Sequence, residues 1–386
     1  MNKQAGSSGL PFLPYGRQVI GEDDIAAVVA ALRSDWLTTG PRVNEFERAV
    51  AEFCGARHGV AVSSGTAALH AAMAAIGIGP GDEVIVPAMT FAATANAVVY
   101  QGGTPVFADV EAETLLLDPN SVQERITART KAIVAVDYAG QPCDYSALRA
   151  LADRHGLRLV ADACHSLGAE FKGRKVGTLA DCTVFSFHPV KHLTTGEGGM
   201  VLTEDDELAT SMRRFRNHGI STDHRQREAI GTWQYEMVEL GYNYRISDFQ
   251  CALGTSQLAK LPVFLARRRE IAAQYREAFA GSATIRPLAV RPEGLSAWHL
   301  YVVRLAGGVV RETVFHQLRE RGIGVNVHYL PVHLHPFYQE RFGLRPGLCP
   351  VAESAYEAIL SLPIWPGMNE EQVERVVREL TAKEVS

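Results

Sequence analysis

Between residues 58 and 205, short apolar runs alternate with helix-patterned segments, and few architectures accept that alternation. His58 to Val62, Glu83 to Val86, Pro105 to Ala108, Ala132 to Val136, Leu157 to Ala161, Thr183 to Phe187 and Gly199 to Thr203 read as strands. Gly65 to Ile76, Phe91 to Tyr100 and Tyr145 to His155 read as intervening helices. Continuous apolar runs suit strands covered on both faces, so the pattern predicts an α/β fold with a mostly parallel sheet sandwiched by helices. In such sheets ligands collect at the C-terminal strand ends, and Asp162 and Ser186 both fall there.

The flanks differ. Glu22 to Arg33 and Val43 to Cys54 read as helices joined by Ser34 to Pro41. Phe249 to Lys260 and Val263 to Ala280 read as two helices broken at Pro262, because proline cannot continue a helix interior. Trp298 to Arg304 reads as a strand, and Arg311 to Arg321, Val351 to Leu360 and Glu370 to Leu380 as helices. We expect residues 1–250 to form an N-terminal segment and a large domain, and 251–386 a smaller α+β domain.

The net charge of −5 argues against nonspecific nucleic-acid binding, which needs a basic surface. Met1 to Leu10 is polar and Gly/Ser-rich, with no apolar core of a secretory signal. No apolar run is long enough for a membrane span. The six cysteines lack framework spacing and read as reduced thiols, which makes the cytoplasm the expected compartment.

The chemistry concentrates in Phe185 to Gly199, where Lys191 follows an apolar run and precedes a Gly/Thr-rich loop. A strand-end aspartate (Asp162), then a serine (Ser186), then this lysine is the order a pyridoxal-phosphate enzyme needs. The lysine holds the cofactor as a Schiff base, and the aspartate pairs with the pyridine nitrogen. Taken singly, the lysine is an ordinary solvated charge and Asp162 an ordinary helix cap. A reacting lysine must lose its proton, and burial lowers its pKa from about 10.4. Ser63 to Leu69 joins a strand to a helix, where free N–H groups suit a phosphate, and Ser186 is a second phosphate candidate. Phe91 is either core packing or a face for the pyridine ring. His333 and His335 lack a third metal ligand at persuasive spacing, so no metal is expected. Cys164 beside His165 reads as packing, and Gly196 to Gly199 lacks the dinucleotide-binding spacing.

Ser63–Leu69, Pro87–Asn96, Asp162–Gly168, Phe185–Gly199 and Gly241–Arg245 together resemble the DegT/StrS family of nucleotide-sugar aminotransferases, over about Leu13 to Val377. The resemblance implies a fold-type I pyridoxal-phosphate enzyme with a seven-stranded sheet. It makes Lys191 the catalytic Schiff-base lysine and Asp162 the pyridine partner. Phe91 becomes the stacking aromatic, with Gly65, Thr66, Ala67, His165 and Ser186 as further cofactor contacts. Asn243 is implied to reach the phosphate from a neighbouring subunit, hence a homodimer with shared active sites. Some family members carry histidine in place of the lysine; here Lys191 is in register and His192 follows it.

Within the family, Leu13–Gln18, Ser34–Pro41, Phe185–Gly199 and Val325–Pro336 are most similar to the aminotransferases of pseudaminic acid synthesis. That likeness implies a UDP-linked 2-acetamido-4-keto-6-deoxy sugar as amino acceptor and L-glutamate as donor. Trp36, Thr38, Gly40, Arg245, His328 and Tyr329 are the candidate sugar and nucleotide contacts, with turn or dimer-interface roles as their alternative. Three rivals stay open: an aminotransferase for another UDP- or dTDP-keto sugar, a non-catalytic cofactor-binding regulator, and a sulfur-transfer enzyme using Cys349 in a mobile loop.

Overall fold

The computed structural model describes residues 11–222 and 224–382. The polar stretch Met1 to Leu10, with its expected lack of a secretory signal, lies outside the described residues.

Seven strands form the main sheet: β1 (His58–Val62), β2 (Glu83–Pro87), β3 (Thr104–Ala108), β4 (Thr130–Val136), β5 (Arg158–Asp162), β6 (Cys182–Ser186) and β7 (Gly199–Thr203). Their order is β1-β7-β6-β5-β4-β2-β3. All pairings from β3 to β6 are parallel, and β7 alone runs antiparallel to its neighbours β1 and β6. β2 and β7 are buried along their whole length, which explains runs with no polar alternation.

Helices α1 (Glu22–Leu32), α2 (Pro41–Cys54), α3 (Gly65–Ala75) and α4 (Ala92–Tyr100) follow the expected segments closely. Pro41 opens α2, where its missing N–H costs nothing, and Gly55 closes it in the left-handed region. Ser64 caps α3, its Oγ accepting from Ala67 N at 3.1 Å. The start of α3 lies against the end of β6: a Cβ on Gly65 would stand 2.8 Å from Ser186 Cβ. Glycine is therefore what lets this helix N-terminus approach the strand end.

Two expectations are corrected. The break at Pro262 is absent, and Asp248–Phe279 is one helix with Pro262 inside it. Leu258, Leu261, Leu265, Arg268, Ala272, Tyr275 and Phe279 recur at alternating three- and four-residue steps and are all buried. That stripe passes through the proline in phase, and packing of α1 and α2 against the helix supports it. Pro262 itself is exposed, so its ring displaces no core packing. The second correction is that the helix after Cys349 stops at Ala358. Ile359–Leu362 is instead the edge of a three-stranded antiparallel sheet, paired with Tyr301–Leu305, which pairs in turn with Ile285–Pro287.

One apolar cluster fills the space around the main sheet, and a second is built from Leu13, Ile271, Tyr275, Phe279, Tyr301, Val303, Leu360 and the last helix, Glu370–Thr381. As a proposal, the division near residue 250 draws support from that second cluster. No described helix is long and apolar enough to cross a membrane.

Because Pro262 is exposed inside a helix held by packing, Pro262→Ala should raise stability by about 1–3 kcal/mol. The check is the thermal midpoint: a rise is expected, and a fall means the proline bend is required.

Candidate active site

Asp162 ends β5 and Ser186 ends β6, and the two strands pair in parallel with Asp162 opposite Val184. The Phe187–Gly198 loop turns the chain back into β7, with Ser186 facing Gly199. Lys191 sits in that loop, so the sheet brings the aspartate, serine and lysine to one edge.

There they line a cavity of about 510 Å³ together with Gly65, Thr66, Phe91, His165, His328 and Tyr329. A larger open cleft of about 720 Å³ lies at the opposite strand ends around Arg149, Asp181 and Glu204. It holds none of the motif residues, and Arg149 there is already paired with Asp153 and Asp181.

Burial lowers the Lys191 pKa below the usual lysine value, while Cys164 and Asp162 oppose the shift. The ammonium is costly in this setting, so the amine loses its proton more readily than a surface lysine. Asp162 is buried, accepting from Thr94 Oγ1 at 2.7 Å and from Cys164 N at 3.3 Å. Thr94 Oγ1 is also 2.7 Å from Thr90 Oγ1. No cation forms an ion pair with Asp162 among the described residues. A buried carboxylate that faces a cavity and is ion-paired with no described cation fits the N–H of a pyridinium ring.

Gly65 and Thr66 open α3, and first-turn N–H groups have no partner within their own helix. With the Ser186 hydroxyl beside them they suit a phosphate. Ala67 differs: it is buried, outside the cavity lining, and its N–H is taken by Ser64. Phe91 precedes α4 and is 59% exposed although it lines the cavity, so one aromatic face is available to a flat ring. Its ring centroid is 6.0 Å from that of Tyr329. These features match the parts of pyridoxal phosphate: an aldehyde for the lysine, a ring nitrogen for the carboxylate, a phosphate for the helix end.

His165 Nε2 stands 3.1 Å from Tyr329 Oη, and burial holds its imidazole neutral. His328 is fixed by Ser361 Oγ at 2.8 Å on Nδ1 and by Asn326 Nδ2 at 3.3 Å on Nε2. Burial, then Lys191, lowers the His328 pKa to about 3.

The remaining candidates lie elsewhere. Thr38, Gly40 and Arg245 line a separate cavity of about 550 Å³ with Arg213, Arg214 and Arg216. Asp248 holds this loop through Gly40 N and Arg42 N. Gly40 has no room for a side chain, since a Cβ would meet Trp36 Cβ at 2.4 Å, so Trp36 and Gly40 pack against each other. Arg245 donates to Asn217 Oδ1 at 2.7 Å. Asn243 is exposed and bridges to Asn217, away from the lysine cavity of its own chain.

Four residues at the site are not among the sequence candidates: Thr94, which holds Asp162, and Tyr15, His299 and Asn326, which line the cavity. Thr94 carried a weak signal, three residues after Phe91 and so on the same helix face. Tyr15 and Asn326 fall within the segments Leu13–Gln18 and Val325–Pro336 that carry the subfamily likeness, and His299 has no such signal. Cys349 is buried, and burial pushes its thiol up to about 12, which removes the reactive cysteine a sulfur-transfer enzyme would want.

The family model described as the DegT/DnrJ/EryC1/StrS aminotransferase family matches residues 18–381. The spore coat polysaccharide biosynthesis protein SpsC of Bacillus subtilis is 44% identical over 371 residues, 95% of each chain. Spr1654 from Streptococcus pneumoniae in its PMP form superposes with a TM-score of 0.92 at 33% identity, covering 97% of this chain and 99% of that one. Its PLP form gives 0.91. Helicobacter pylori PseC, an aminotransferase of pseudaminic acid biosynthesis, gives 0.90 at 34% identity over 96% of this chain and 98% of its own. The fold is that of fold-type I pyridoxal-phosphate enzymes, with pyridoxal phosphate as cofactor. The chain belongs to the DegT/DnrJ/EryC1/StrS aminotransferase family.

Proposed function

We propose that this aminotransferase moves an amino group from L-glutamate to the C4 keto carbon of a UDP-2-acetamido-2,6-dideoxy-hex-4-ulose of L-arabino configuration. The product is UDP-4-amino-4,6-dideoxy-N-acetyl-β-L-altrosamine, the aminotransfer step of pseudaminic acid synthesis. The observation that carries the chemistry is a half-buried lysine of lowered pKa sharing a cavity with an ion-pair-free carboxylate. The likeness to PseC over nearly both whole chains supports the acceptor.

Pyridoxal phosphate, when bound, supplies an aldehyde and an electron sink for charge developing at the substrate carbon. Asp162 would hold the ring nitrogen protonated, and Thr94 fixes the carboxylate that does so. Gly65, Thr66 and Ser186 would hold the phosphate, and Phe91 one ring face. Lys191 would anchor the cofactor and then, as a free amine of lowered pKa, carry the proton between substrate and cofactor carbons. Neutral His165 and Tyr329 wall the cavity without adding charge.

A dimer is part of the reading. Ile230, Trp233, Tyr235, Met237 and Leu240 are all more than half exposed, and they lead directly to Asn243. An apolar surface of that size fits burial by a second copy, which would carry Asn243 and Arg245 toward the partner's cavity.

A second reading is favoured by the 44% identity to SpsC, whose name places it in spore coat polysaccharide synthesis. The chemistry is then the same on a different keto sugar.

Three outcomes test this. Lys191→Ala should lower turnover by about 10³-fold or more, since anchor and base go together. Mixing Lys191→Ala with Asn243→Ala subunits should restore activity to about a quarter of the sites if each site draws on both chains, and to none if it does not. Finally, the native enzyme with glutamate should convert the L-arabino UDP-keto sugar and not the D-xylo one, with products identified by mass and NMR. Conversion of the D-xylo sugar alone replaces the acceptor. Glutamate turnover with neither sugar favours the second reading, and no glutamate turnover favours a non-catalytic regulator.

A further inference from the structure

Lys191 has one side-chain contact that neither strand ends nor motifs foreshadow: its Nζ is 3.5 Å from His299 Nε2. The distance is at the long end of hydrogen bonding, where active-site contacts commonly stand before substrate enters.

His299 is held as a built part. Arg268, buried on the long helix, donates to the carbonyls of Trp298 at 3.1 Å, His299 at 3.4 Å and Ile364 at 3.0 Å. Ala297 N and Leu300 N bond to Gly140 O and Ala139 O. A Cβ on Gly140 would stand within 2.8 Å of Trp298 N, His165 O and His299 N, so only glycine lets these backbones meet. From the lysine side, His192 Nε2 reaches Ala297 O at 3.1 Å, tying the lysine loop to the same segment. The His165 ring lies 4.4 Å from the His299 ring on its other side.

His299 is buried and its Nδ1 has no hydrogen-bond partner among the described residues. The Lys191 contact therefore sets which ring nitrogen carries the proton. An ammonium has no lone pair, so toward protonated Lys191 the ring must present a bare Nε2 and keep its proton on Nδ1.

We propose that His299 is a positioning residue for Lys191, accepting a hydrogen bond from Nζ at Nε2 and aiming the amine into the cavity before and after it takes up a proton. The surroundings leave this task to His299. Burial holds His165, His192, His299 and His328 neutral. Burial raises the Cys164 thiol and the Tyr329 phenol. Asp162 is engaged by Thr94 and Cys164, and Arg268 by carbonyls.

The inference rests on Lys191 being the group that holds the cofactor and moves the proton. A hydrogen bond accepted from the ammonium favours the charged form, so removing the acceptor should lower the Lys191 pKa further. The test uses the full chain as native protein, His299→Phe and His299→Gln. One readout is the single-turnover rate of the cofactor-loaded enzyme with glutamate. The other is the pH midpoint of Lys191 acetylation in the cofactor-free chain, read by mass spectrometry.

In His299→Phe the rate should fall on the order of 10- to 100-fold, with little change in glutamate KM, and the midpoint should move down. His299→Gln, which keeps an acceptor, should recover much of both. An unchanged rate and midpoint in the Phe variant overturns the proposal, as does an equal loss in Phe and Gln, which would mark simple packing. Should His299→Phe not fold, His299→Leu carries the same two outcomes. Native protein that binds no cofactor at Lys191 overturns the functional reading itself, and this inference with it.

Discussion

The parallel pairing of β5 with β6 is the constraint on which the rest depends. It sets Asp162 level with Val184, two residues short of Ser186, and so delivers a carboxylate and a hydroxyl to one edge of the sheet. Because β7 returns antiparallel, the connection from Ser186 to Gly199 folds over that same edge rather than crossing a face. Lys191 is carried by this connection. The helix N-terminus at Gly65 closes the site from the other side only because no side chain intervenes. A slip of one residue in β5 would turn Asp162 to the opposite face and leave a buried charge without purpose.

Electrostatics follow from that geometry. Burying a lysine costs free energy unless its proton is lost or its charge is matched. The surrounding histidines are neutral, so they do not oppose it with charge. Asp162 stays free of ion pairs and is held by two neutral donors. In the proposed function, this leaves the carboxylate for a cationic ring nitrogen and the amine for an aldehyde. Asp137, beside Asp162 at the end of β4, shows the contrast: burial raises it to about 7 while Ser166, Cys143 N and Tyr145 fill its oxygens. One strand-end carboxylate is sealed into the core, and its neighbour faces the cavity.

Much of this was legible in the sequence, for physical reasons. Strands buried on both faces leave unbroken apolar runs, and a reactive lysine among Thr and Gly stands out from solvated ones. In the long helix the buried stripe running through Pro262 outweighs the proline's tendency to break it. Motif position places Ala67 with the cofactor contacts, whereas its N–H is taken by the Ser64 cap. Thr94 and His299 stand 68 and 108 residues from the groups they serve, and no local pattern encodes such meetings. Thr38 and Arg245 read as site residues, yet within one chain they line a different cavity, and Asn243 lines neither that cavity nor the lysine cavity.

The most direct measurement is borohydride reduction of the purified protein after incubation with pyridoxal phosphate, followed by peptide mass mapping. The account predicts a single covalent adduct on the peptide containing Lys191, at near one per chain. An adduct confined to other lysines, or none, would contradict it.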